Sequence, residues 1–114
     1  FYFYFDHGTA KGYQEVKGVT LEANGVVSFP DAPTKRGEKH LRELIRCRKQ
    51  GLEAYVLFVV QMSRVRYFTP NKKNDPAFAQ ALREAYESGV TVLAMDCLVE
   101  PGKVAIHRPV EIRL

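Results

Sequence analysis

Gly12 to Leu41, GYQEVKGVTLEANGVVSFPDAPTKRGEKHL, is the stretch whose reading decides the fold. It sets Glu15 and Lys17 two residues apart in a β-branched segment, follows with Asp31 at a Pro-bounded turn, and then opens a helix with a cluster of cations. Side chains at i and i+2 of a strand point to the same face, so Glu15 and Lys17 share one face and Gln14 and Val16 the other. A carboxylate beside an ammonium, with a second carboxylate nearby, suits a divalent cation held next to a phosphodiester. An ordinary same-face ion pair on a solvated sheet has the same sequence, so the tripeptide alone does not choose between them.

Working outward, Asn24-Gly25 is a hairpin turn, because both residues tolerate the positive φ that tight hairpins demand. Val26 to Phe29 returns as a strand, and the prolines of Pro30-Asp31-Ala32-Pro33 remove backbone donors and turn the chain out of the sheet. Thr34 is the expected N-cap of a helix whose apolar face is Leu41, Leu44 and Ile45 and which Gly51 stops. Lys35 and Arg36 add positive charge beside the positive end of the helix dipole, an arrangement suited to an anion. Lys35, Arg36, Lys39, Arg42, Arg46, Arg48 and Lys49 are opposed within this segment only by Glu38 and Glu43, which describes either a solvated basic helix or a polyanion-facing surface.

On the N-terminal side, Phe1 to Phe5 reads as a buried strand ended by a turn at Asp6-His7-Gly8, with Lys11-Gly12 closing that turn and Tyr13 to Leu21 returning antiparallel. With the hairpin this predicts a three-stranded meander. On the C-terminal side, Ala54 to Gln61 is a continuous apolar run, expected as a central strand buried on both faces. Ser63 to Phe68 reads as an irregular or edge segment. Asp75-Pro76 caps a second helix with Phe78, Leu82, Ala85 and Tyr86 on one face and Gly89 at its end. Val90 to Val99 is a further strand, and Pro101-Gly102 leads into a terminal hairpin broken near Pro109. The fold class is therefore α/β with a mixed sheet, a meander followed by helix-strand-helix-strand, its later strands parallel through right-handed crossovers.

At 114 residues, with 46% hydrophobic and 26% charged content, the chain is sized and composed as one soluble domain. No apolar run approaches the roughly 18 residues of a spanning helix. It opens on Phe1 without an initiator Met and reads as the C-terminal piece of a longer protein. Cys47 and Cys97 lie far apart without CxxC spacing, as reduced thiols of a cytoplasmic protein do. The net charge of +4 and pI of 9.2 are mildly basic. His7, His40 and His107 have no zinc-like spacing. In this reading Glu15 and Asp31 hold Mg²⁺ or Mn²⁺, Lys17 positions a water or offsets developing charge, and Thr34, Lys35, Arg36, Lys39 and His40 face nucleic acid. Asp96, inside an apolar strand, is either a buried functional carboxylate or an outward-facing edge residue.

The blocks GYQEVKGVTL, FPDAPTKRGEKHLREL, VLFVVQ and FTPNKKNDPAFAQAL together closely resemble the C-terminal part of the sugar fermentation stimulation protein A family, over nearly the whole chain. The resemblance implies a PD-(D/E)XK nuclease-like (restriction-endonuclease-like) domain at residues 1–114, preceded in the family by an OB-like nucleic-acid-binding domain. It implies DNA as partner and regulation of sugar, notably maltose, metabolism. Glu15 and Lys17 fall on the family's Glu-X-Lys, and Asp31, Thr34, Arg36, Gly37, Lys39 and His40 on its second block. The family places an Asp on the strand before Glu-X-Lys; Tyr2 stands there, which leaves Asp6 or Asp31 as the compensating ligand and makes cleavage by this chain an open point. A DNA-binding domain on this scaffold is the leading expectation. An active Mg/Mn-dependent nuclease and a protein-interaction module with a vestigial nuclease fold are the alternatives, and a homodimer is the candidate assembly.

Overall fold

The computed structural model describes the backbone of residues 2–7 and 10–114 and the side chains of residues 11–98 and 100–114. In chain order the elements are β1 (Tyr2–His7), β2 (Ala10–Val19), β3 (Leu21–Ala23), β4 (Val26–Phe29), α1 (Lys35–Lys49), β5 (Glu53–Val60), β6 (Tyr67–Pro70), α2 (Pro76–Glu87), β7 (Thr91–Glu100), β8 (Lys103–Pro109) and β9 (Glu111–Ile112). The class is α/β with two mixed sheets rather than one.

The larger sheet has the order β1-β2-β5-β7-β8. β1 runs antiparallel to β2, β2, β5 and β7 run parallel, and β8 returns antiparallel to β7. The smaller sheet has the order β3-β4-β6-β9, with β4, β6 and β9 parallel. The expected meander is therefore split. β1 and β2 pair in one sheet, the chain leaves it at Thr20, and the Asn24-Gly25 hairpin, with φ of 54° and 82°, builds the other. The turn expected at Asp6-His7-Gly8 and Lys11-Gly12 is corrected too: Asp6 and His7 are still in β1 and Lys11 and Gly12 are already in β2, while Gly8 lies outside the described residues. Gly12 is tight against β5, where a Cβ would stand 2.1 Å from the Glu53 carbonyl oxygen, so only glycine fits.

β6, expected as irregular or edge, is interior to the small sheet, and the last two strands form no hairpin, since β8 pairs with β7 and β9 with β6. β5 is central as expected, but its two faces differ. Ala54, Val56, Phe58 and Val60 are buried in the core that Leu41, Leu44 and Ile45 of α1 and Phe78, Leu82 and Ala85 of α2 complete, whereas Tyr55, Leu57 and Val59 are half-buried. Tyr86, assigned to the apolar face of α2, is 61% exposed. Phe58 stacks on Phe68 with centroids 4.4 Å apart and meets Phe78 edge-on, while Phe29 meets Phe78 at 5.2 Å, so aromatic rings join β4, β5, β6 and α2. Burial of each such ring contributes about 1.5–3 kcal/mol.

Capping fixes where the helices start. Thr34 Oγ1 accepts from Gly37 N at 3.0 Å, and Asp75 Oδ1 accepts from Phe78 N at 3.0 Å. The other oxygen of buried Asp75 accepts from Thr34 N at 2.8 Å, so one carboxylate caps α2 and pins the start of α1 to it. Asn71 and Asn74 hold the turn before α1 through the carbonyls of Pro30 and Asp31.

Candidate functional site

β2 presents Tyr13, Glu15 and Lys17 from one face, and α1 crosses that face. Glu15 is 1% exposed. Its Oε1 accepts from Lys17 Nζ at 3.0 Å and lies 3.2 Å from Nδ1 of His40, whose side chain reaches back from the second turn of α1. A buried carboxylate is tolerable only when cations or donors compensate it, and here an ammonium and an imidazole do so from two different elements. Lys17 also lies 5.7 Å from the centroid of the Phe29 ring.

Around this triad is an open cleft of about 460 Å³ lined by Glu15, Val16, Lys17, Gly18, Phe29, Thr34, Arg36, Gly37 and His40. Gly37 keeps α1 close: a Cβ there would lie 2.9 Å from Thr34 Cγ2 and 3.2 Å from Phe78. The start of α1, with Thr34 as its cap, thus opens onto the cleft beside Arg36. Lys35 and Lys39 are exposed on the same first turns, where Glu38 is the only acidic residue. Arg42 turns elsewhere, pairing with Glu84 at 2.8 Å and with Glu38 at 3.9 Å.

Of the residues singled out in the sequence, Glu15, Lys17, Thr34, Arg36 and His40 converge on one cleft, and Lys35 and Lys39 flank it. Asp31 does not line it; that residue is exposed and its carbonyl accepts from Asn74 Nδ2 at 2.6 Å. The side chain of Asp6 lies outside the described residues, but its backbone pairs with Lys11, whereas the residue in register with Glu15 is Tyr2. Four residues of strand, about 13 Å, separate these two levels. Among the described residues no three His, Cys, Asp or Glu side chains come together. A hard cation such as Mg²⁺ needs about six oxygens, most of them from carboxylates, carbonyls or water. One carboxylate, already shared by Lys17 and His40, does not by itself make such a site, so the described residues do not fit the ion.

Two features were not read from the sequence. The Glu15-His40 contact spans 25 positions, and its only signal was that a helix starting at Thr34 carries His40 toward the strand it covers. A second cleft, of about 410 Å³, lies at the other end of the β2-α1 junction, lined by Tyr13, Glu43, Arg46, Cys47, Gln50 and Leu52. Burial first, and the Glu43 carboxylate second, push the Cys47 thiol up from its ordinary range and keep it protonated.

Asp96 is buried, not outward-facing. It sits where the β7-β8 register slips between Met95 and Cys97, and its Oδ1 accepts from Arg108 N at 2.7 Å. His107 and Arg108 side chains approach it at 3.6 Å.

A family model described as "Sugar fermentation stimulation protein RE domain" matches residues 1–103. A sugar fermentation stimulation protein homolog of Clostridium beijerinckii is 51% identical over 114 residues, covering 100% of this chain and 50% of that protein. One from Ruminiclostridium cellulolyticum is 48% identical with the same coverage. The solved structure of Pyrococcus furiosus SfsA in complex with Ca²⁺ superimposes with a TM-score of 0.91 at 28% identity, over 97% of this chain and 48% of that one. The chain spans about half the length of the relatives it matches.

Proposed function

The chain belongs to the sugar fermentation stimulation protein family, and on that premise we propose that it is a DNA-binding domain on a restriction-endonuclease-like scaffold. The observation that carries this reading is the cleft in which Lys17 and Arg36 meet the start of α1, flanked by exposed Lys35 and Lys39. Cations beside a helix start cost stability unless an anion answers them, and a phosphodiester backbone is such an anion. Thr34 and the amides of the first turn would receive a phosphate, Arg36 and Lys39 would neutralise its neighbours, and Glu15 would hold Lys17 and His40 in place. The full-length relatives are taken to join this domain to an OB-like one and to act in the cytoplasm as regulators of sugar metabolism.

The test is fluorescence anisotropy of a labelled DNA duplex at several salt concentrations. Affinity that falls steeply with salt and weakens in Arg36→Ala and Lys39→Ala supports the reading. Binding that is absent or indifferent to salt would transfer the surface to a protein partner.

A second reading, a Mg²⁺- or Mn²⁺-dependent nuclease, is favoured by the Ca²⁺ complex of the Pyrococcus relative. Calorimetric titration of Mn²⁺ into the wild type, Glu15→Gln, Asp31→Asn and Tyr2→Asp decides it. Saturable wild-type binding lost in Glu15→Gln supports a metal at this carboxylate, and retention in Asp31→Asn removes Asp31 from the ligand set. Binding that appears only in Tyr2→Asp assigns the deficit to the position in register with Glu15.

A further inference from the structure

The second cleft lies at the opposite end of the same strand-helix junction from the first. Tyr13, Glu15 and Lys17 are successive positions on one face of β2, and along α1 the lining residues pass from Arg36, Gly37 and His40 to Glu43, Arg46, Cys47 and Gln50. The two clefts thus lie at the two ends of the seam between the strand and the helix. Tyr13 and Lys17 are about 13 Å apart along the strand, a span of roughly four stacked nucleotides. The ends differ in chemistry. The Lys17 end is cationic and adjoins the helix start. The Tyr13 end combines a half-buried phenol ring and Leu52 with a carboxylate, Glu43, an amide, Gln50, and one exposed guanidinium, Arg46.

Resting on the DNA-binding reading above, we infer that the Tyr13 end of the seam is a pocket for an unpaired nucleobase. A ring and a leucine offer a stacking surface to any base. Glu43 accepts from an exocyclic amino group, Gln50 can both donate and accept, and Arg46 meets the attached phosphate. A purely electrostatic groove would have no use for a carboxylate among its cations; a base edge with an amino donor does. The substrate class that fits both ends of the seam is DNA or RNA with a duplex region at the cationic end and a single-stranded extension at the Tyr13 end.

The experiment compares three labelled DNAs binding to this chain: a blunt duplex, the duplex with a short cytosine overhang, and the same overhang made abasic. The base-bearing overhang is expected to bind about tenfold tighter than the abasic one, as one stacked base contributes. Tyr13→Leu and Glu43→Gln should each shrink that ratio toward one while leaving blunt-duplex affinity unchanged. Glu43→Gln carries the test if Tyr13→Leu does not fold, whereas Arg46→Gln, at an exposed position, should weaken both overhang DNAs alike and leave their ratio unchanged. Equal affinity of wild type for the base-bearing and abasic overhangs, with the blunt duplex still bound, would overturn the nucleobase pocket alone. Failure of all three DNAs to bind would overturn it together with the DNA-binding reading.

Discussion

Glu15 and Asp96 are both buried carboxylates on strands of the larger sheet, and they are held in opposite ways. Asp96 accepts the Arg108 backbone N–H at the register slip, with the His107 and Arg108 side chains more distant at 3.6 Å. Its acceptor role substitutes for a ladder bond the bulge has removed. Glu15 is answered by side chains, Lys17 and His40, and it lines an open cleft. A carboxylate that completes the backbone is part of the scaffold. One that organises a lysine and a histidine side chain at an opening is available for a ligand, and burial alone does not tell the two apart.

The largest effect that would break this contrast is expected at Asp96. Asp96→Ala leaves the part-buried Arg108 N–H without its acceptor and should cost about 2 kcal/mol, read as a lowered urea midpoint, whereas Glu15→Gln, which keeps an acceptor for Lys17, should cost less than half of that. Equal losses would abolish the distinction. Next, the double variant Arg36→Ala, Lys39→Ala should weaken duplex binding by about tenfold and lower the salt slope by about two. Glu15→Gln should act in the other sense on DNA: removing a negative charge beside the phosphates should tighten binding by about fivefold, roughly 1 kcal/mol of repulsion. Weaker binding there would show that the placement of Lys17 and His40 by the carboxylate outweighs the repulsion.

The smallest effect sharpens the comparison from the side of the thiols. Burial, and then the Asp96 carboxylate, push the Cys97 thiol above its ordinary value of 9.0. Below that pH both folded and unfolded thiols are protonated and the stabilising difference is fully present; above it the unfolded thiol ionises first, so stability falls with rising pH. Urea midpoints should therefore be unaffected by this thiol below pH 9.0 and decline above it, and Asp96→Asn should make the Cys97 share of that decline smaller.

Local chemistry was the legible part. Thr34, Asp75-Pro76, Asn24-Gly25, Gly51 and Gly89 marked their caps and turns because each signal is contained in a few residues. The Glu15-Lys17 pair was legible for the same reason, since strand periodicity alone sets it. What failed was non-local. Alternation continues through Val19 and Leu21, so nothing in it shows that the chain changes sheets between them. Tyr86 keeps helical spacing with Leu82 and Ala85 yet lies just beyond the covered stripe. Asp31 looked like a partner of Glu15 because it is near in sequence, while His40, on the helix that covers the strand, is the residue that reaches it. Asp96 stays open between two readings in the sequence because a bulge, which needs two strands to define it, decides where its side chain goes.

The parallel pairing of β2 with β5 has a consequence for synthesis. Glu15 lies in register with Val56, and the whole of α1 is translated between them. Until β5 has emerged and docked, β2 has only its antiparallel neighbour β1, and the core face of α1 lacks the β5 residues it packs against. Non-local strand pairs of this kind form late because a long loop must close first. The cleft therefore comes into being only after β5 has been made, and a nascent chain carrying the full Glu15 to His40 segment has the residues of the cleft without yet having the cleft.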